Sequence, residues 1–140
     1  MYPFKPKQTI LGTHESGTFN VPFSVCYDEW NNHLIVNDSG NGRIQFLDSK
    51  TYRYYSMFGS YGHKPGQFNQ STKLCIQPFT RYLLVCDYKN HRIQVFNIND
   101  DNYFFIYQIG YQFDVALEEM NKKGQFCGPR GVDCDEKGNI

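Results

Sequence analysis

The 140-residue chain lacks a charge imbalance, because its 14 basic residues cancel its 14 acidic ones. A chain so balanced has no global field to draw it toward nucleic acid or an anionic membrane. It also lacks any apolar run approaching the roughly 18 residues of a membrane helix. Its first residues, MYPFKPKQTIL, carry no stretch like the apolar centre of a secretory signal. These absences lead to the expectation of a cytoplasmic protein with no membrane role. The five cysteines stand at 26, 75, 86, 127 and 134, an odd number with neither CxxC nor zinc-finger spacing. Reduced structural thiols are expected, with a disulfide or a metal site as the alternatives. There is no nucleophile–base pair, phosphate-binding glycine loop or paired-carboxylate motif. No enzyme activity and no cofactor are therefore expected.

What the chain does have is aromatic surface and a repeat. Eleven Tyr and 12 Phe stand against a single Trp, and flat, stiff apolar side chains suit strands better than helices. The stretch IVNDSGNGRIQFL, Ile35 to Leu47, returns as LVCDYKNHRIQVF, Leu84 to Phe96. Asp38 matches Asp87, Asn41 matches Asn90 and Arg43 matches Arg92, each pair 49 residues apart by subtraction, as are Cys26 and Cys75. A fixed interval of that size marks a repeat architecture.

Cutting each copy at its turn signals gives four short strand runs. In the first they are Val21 to Tyr27, His33 to Asn37, Arg43 to Leu47 and Tyr52 to Phe58. In the second they are Thr72 to Gln77, Tyr82 to Cys86, His91 to Asn97 and Tyr103 to Ile109. Each set reads as one antiparallel meander. A third copy begins at Gly124 with GQFCGPRGVDCDEKGNI, and the interval from Phe68 to Phe126 is 58 residues. The expected division is an outer strand in 1–16, meanders over 17–59 and 66–110, a loop over 111–123 with one weak helical turn, and the inner strand of a third meander in 124–140.

The motif D-x-x-N-x-R-I-Q in two registered copies, with GxF before each meander and an aromatic strand closing on glycine, resembles the NHL repeat. The resemblance implies an all-β β-propeller of four-stranded antiparallel blades, usually six, with the first strand of each blade lining a central channel. Here it covers about two and a third blades, so a piece of a longer propeller is expected, prone to self-association through an uncovered sheet face. Ser71 stands where Pro22 and Pro129 have proline, and Gly42 where the second copy has His91.

The shared motif reads as architecture. Asp38 and Asp87 are expected to accept from amides of the following turn and to pair with Arg43 and Arg92. Asn41 and Asn90 suit a left-handed turn residue. Ile44, Phe46, Ile93 and Val95 alternate onto one sheet face to meet a neighbouring blade. Three features point beyond architecture. His14 and His63, also 49 apart, precede blade-opening glycines and are candidate metal ligands, as in lyase and lactonase propellers. Tyr61, His63, Lys64, Tyr88, Lys89, His91 and Arg92 gather cations and aromatic rings around the loops and are binding candidates, for RNA in one reading. The long loop 111–123 is the least repeat-like segment. The reading favoured by the sequence is a non-catalytic scaffold that binds a protein partner. The resemblance implies a parent of the tripartite-motif ubiquitin ligase kind, in which such a propeller selects substrates; an RNA-binding propeller of that kind and an axial-metal propeller enzyme are the alternatives.

Overall fold

The computed structural model describes residues 16–110 and 124–140. Its elements are β-strands, in the order β1 (Pro22–Asp28), β2 (His33–Asp38), β3 (Arg43–Asp48), β4 (Tyr54–Phe58), β5 (Ser60–Tyr61), β6 (Gln67–Phe68), β7 (Ser71–Ile76), β8 (Tyr82–Asp87), β9 (Arg92–Asn97) and β10 (Phe104–Gly110). Two short 3₁₀ turns, Ser39–Asn41 and Tyr88–Asn90, join β2 to β3 and β8 to β9. Strands β1 to β4 form one four-stranded antiparallel sheet in sequence order, β7 to β10 form a second, and β5 and β6 make a small parallel pair between them. The eight strand runs expected from turn signals are all strands, with ends shifted by at most two residues. The architecture is all-β and propeller-like, and its sheets do not close into a ring.

The repeat extends to its irregularities. A bulge falls after Pro22 in β1 and after Ser71 in β7. Another skips Tyr55 in β4 and Ile106 in β10, opposite equivalent residues of β3 and β9. Bulges of this kind re-aim side chains and increase local twist. Pro22 is accommodated because it opens its strand beside one of them.

Between the sheets, Ile35, Ile44 and Phe46 meet Phe68, Leu74, Leu83, Val85, Phe96 and Ile98 in one core. Rings do much of the filling: Phe46 stacks on Tyr103 at 4.5 Å between centroids, and Phe58 lies 4.8 Å from Phe96. On the far face of the second sheet, Leu84, Cys86, Ile93 and Val95 pack with Val132. Strand β8, YLLVCD, is apolar on both faces because both are covered. The expected alternation of Ile44, Phe46, Ile93 and Val95 is seen. The segment 124–140 forms no strand, unlike the expected inner strand. It still docks: Thr72 Oγ1 donates to the carbonyl of Arg130 at 3.2 Å, and Phe126 packs into the second core.

One contrast shows what coverage does. Leu74 is 2% exposed against the first sheet, whereas its counterpart Val25 in β1 is 57% exposed, with Phe23 and Tyr27 exposed beside it. Residues 1–15 and 111–123, with the expected outer strand and helical turn, lie outside the described residues. Among the described residues no helix is long and apolar enough to cross a membrane.

Candidate functional site

The repeated acid–amide–base motif builds a buried polar hub in each sheet. In the first, Asp38 Oδ2 accepts from Arg43 Nε at 2.7 Å, Asn41 Nδ2 at 2.9 Å and Gln45 Nε2 at 2.9 Å. The second repeats this at Asp87, with Arg92 at 2.9 Å, Asn90 at 2.8 Å and Gln94 at 3.0 Å. The other carboxylate oxygen accepts the backbone N–H of Asn20 at 2.6 Å or of Asn69 at 2.8 Å. Gln45 and Gln94 fasten the same approach segments, accepting from Gly17 and Gly66 and donating to the carbonyls of Thr18 and Gln67. Both aspartates and both glutamines are fully buried, where such networks hold only when every member is satisfied. Burial pushes the Asp87 carboxyl up, against the amide of Asn69 and the side chains of Asn90 and Arg92, which pull it down.

Two expectations are corrected here. The aspartates do not cap the turns that follow them; they accept from amides 18 residues earlier, so the motif clamps the segment leading into its own sheet. The left-handed residue is not Asn41 or Asn90 but the next one, Gly42 at φ 64° or His91 at φ 55°. The asparagine amide is instead spent on the aspartate, which fixes the 3₁₀ turn in place.

This clamp ties down the end of the sheets that carries the β2–β3 and β8–β9 turns, and several cations are exposed at that end. Lys64, Lys89 and Arg130 are exposed there, with His63 and with Tyr61 at 66% exposure. Among the described residues its only acids, Asp38 and Asp87, are sealed in the hubs. The opposite end carries Glu29, Asp48, Asp100, Asp101, Asp135 and Glu136, with Lys50, Arg53 and Lys137 against them. There Asp48 and Asp135 are held below the usual carboxylate range by their own turns, chiefly by Thr51 and Asn139. Among the described residues, charge is therefore spread unevenly between the two ends.

At the cationic end, a cleft of about 390 Å³ runs across three successive repeats. One repeat position contributes Phe23, Thr72 and Arg130 in turn, and Val21, Gln70 and Tyr88 are among the remaining walls. Arg130 lies 5.0 Å over the Tyr88 ring with Nη2 3.3 Å from its hydroxyl, and Lys89 Nζ lies 5.5 Å from the same ring. The Arg130 hydrogen bond and charge lower the Tyr88 phenol below its ordinary value. Val21 is held at φ 48°, costly for a β-branched residue, where the later repeats have Gln70 and Gly128. Two further clefts, of about 340 and 410 Å³, open at the acidic end around Asp101 and Asp135. Of their acids, Asp101 accepts from Tyr55 and Asp135 from Asn139.

Of the sequence candidates, Tyr88 and Lys89 sit at this cleft, and Tyr61 and Lys64 share its end of the sheets from the connection between β4 and β7. His91 is drawn inward, its Nδ1 accepting the Gly128 N–H at 3.0 Å. Arg92 belongs to the hub, in a 2.9 Å ion pair with Asp87. His63 is exposed on the connection, and no group of three metal-ligating side chains occurs among the described residues; His14 lies outside them. The sequence reading missed Arg130, Phe23 and Val21. Phe23, Thr72 and Arg130 share one repeat position, so the alignment alone brings Phe23 and Arg130 together, whereas nothing in the sequence marks Val21.

No protein-family model matches the chain, and no curated protein does. Among solved structures it is similar to Kuenenia stuttgartiensis hydrazine synthase, at a TM-score of 0.62 and 17% identity. The match covers 94% of this chain but 31% of that one, so the chain spans about a third of the length of that relative and the likeness is one of fold alone.

Proposed function

We propose that this chain is part of an NHL-type propeller acting as a non-catalytic binding module, which takes an acidic segment of a protein partner at the end bearing Lys64, Lys89 and Arg130. The observation that supports this reading is an uneven spread of charge among the described residues: Lys64, Lys89 and Arg130 are exposed with Tyr61 at one end, where Asp38 and Asp87 are buried, while Glu29, Asp100, Asp101, Asp135 and Glu136 are exposed at the other. Complementary potential steers encounter and suppresses wrong partners more than it adds affinity. Loops fixed on a stiff scaffold are where recognition residues are commonly placed.

A second reading, single-stranded RNA, is favoured by one feature, the Tyr88 ring approached by both Arg130 and Lys89. Aromatic rings among cations also stack bases. The test is a fluorescence-anisotropy titration of the full chain with a labelled glutamate-rich peptide and with a labelled uridine-rich RNA. The peptide is expected to bind and to weaken as salt rises, with the paired substitutions Lys64→Glu and Lys89→Glu lowering affinity about tenfold or more. RNA binding without peptide binding would replace the first reading by the second. Binding of neither at low salt would overturn both.

A further inference from the structure

We propose that the cleft spanning Phe23, Thr72 and Arg130 recognises one peptide feature, an apolar side chain with a carboxylate beside it. This rests on the protein-binding reading above and names what such a partner presents. At about 390 Å³, the cleft lies near the lower end of ligand sites, which run from roughly 300 to 1,000 Å³. It suits a side chain or two rather than a folded surface.

The walls divide by chemistry. Val21 and Phe23 are each 62% exposed, an apolar surface that nothing among the described residues covers. Thr72 adds no free hydroxyl, since its Oγ1 already donates to backbone carbonyls of the third repeat. Facing them, Arg130 is exposed and has no acidic partner among the described residues. Stacking on Tyr88 holds its planar fork in place, and one hydrogen bond to the phenol leaves most of its five N–H donors unspent. A preorganised guanidinium of this kind matches a carboxylate in bidentate geometry. A nucleic-acid backbone presents a charge at every residue and would meet two cations and then an apolar wall.

The experiment uses the full chain with three labelled peptides: alternating leucine and glutamate, polyglutamate, and alternating leucine and glutamine. The leucine–glutamate peptide is expected to bind most tightly. Arg130→Ala and Phe23→Ser are each expected to weaken it roughly tenfold, as truncations at a binding hot spot do. Arg130→Lys is expected to retain part of the affinity, and circular dichroism should show each variant folded. If polyglutamate binds as well as leucine–glutamate, and Lys64→Glu with Lys89→Glu abolishes both while Arg130→Ala and Phe23→Ser change neither, the cleft is not the site although the cationic end still binds protein. If no peptide binds, the inference falls together with the reading it rests on.

Discussion

Asp87 and Arg92 meet at 2.9 Å with 0% and 3% of their side chains exposed, and Asp38 and Arg43 make the same contact 49 residues earlier at 2.7 Å. A buried pair is weak support for stability in itself, because desolvation offsets most of the Coulombic gain. Removing Arg92 is another matter, since it strands the buried Asp87 charge and takes a donor from the carbonyls of Lys64 and Gln67. Arg92→Ala is therefore expected to cost about 3–5 kcal/mol, a large share of the roughly 5–15 kcal/mol that holds a domain folded. Replacing both partners, Asp87→Leu with Arg92→Ala, should cost more than Arg92→Ala but less than the two single costs summed, since the N–H of Asn69 and the amides of Asn90 and Gln94 lose their acceptor while no charge is left unpaired. Urea unfolding of the four-member cycle checks this, and additive costs would refute the hub.

Leu74 and Val25 occupy the same repeat position at 2% and 57% exposure. If the first sheet covers Leu74 as described, Leu74→Ala should cost about 2–5 kcal/mol through lost burial and a cavity. Val25→Ala should stay within about 0.5 kcal/mol, as exposed substitutions do. Equal costs in urea unfolding would mean that Val25 is covered in solution, by another copy or by another part of the chain. A protein-concentration series separates those two outcomes.

The course of the chain was legible because turn residues punctuate it and the motif recurs at a fixed interval. Asp38, Asn41 and Arg43 stood out as architecture once Asp87, Asn90 and Arg92 lay beside them. Their partners were not legible: the amides of Asn20 and Asn69 lie 18 residues away along the chain, and nothing local marks them. The cleft was hidden for a similar reason. Arg130 reaches Tyr88 across 42 residues, and a composite site drawn from three repeats has no contiguous motif. The uneven spread of charge was invisible too, since alternate turns carry it to opposite ends of antiparallel strands while composition reports only the zero sum.

Three thiols and one phenol are pushed up chiefly by burial: Cys26 and Cys75 from 9.0 to about 12, Cys86 from 9.0 to about 11, and Tyr103 from 10.0 to about 12. Each folded value exceeds the unfolded one. The stability these groups contribute is thus complete below pH 9.0 and is lost as pH rises toward about 12. Thermal midpoints should fall steadily over that window, and a flat profile would contradict the burial of these groups. At neutral pH the same three cysteines should resist iodoacetamide while exposed Cys127 is alkylated first. Mass spectrometry of the digested protein reads that order.

Gly110 and Gly124 both have left-handed backbones, at φ 100° and 83°, but only one is crowded. A Cβ on Gly110 would lie 2.5 Å from the Phe126 ring and 2.9 Å from the His91 carbonyl, whereas one on Gly124 would meet open space. Gly59 stands to Phe68 as Gly110 does to Phe126, again at 2.5 Å. Gly124→Ala should therefore cost only the left-handed conformation, about 1–2 kcal/mol. Gly110→Ala adds overpacking of about 1–3 kcal/mol, and a ring wedged against backbone has no flexible end to move aside. Since Phe126 and Val132 are apolar contacts among those that seat 124–140 on the second sheet, Gly110→Ala should loosen that segment before it unfolds the sheets. Limited trypsin digestion reads the difference, with cleavage after Arg130 and Lys137 accelerated in Gly110→Ala and little changed in Gly124→Ala. Equal acceleration in both would show that backbone strain, and not the Phe126 contact, sets how firmly the segment is held.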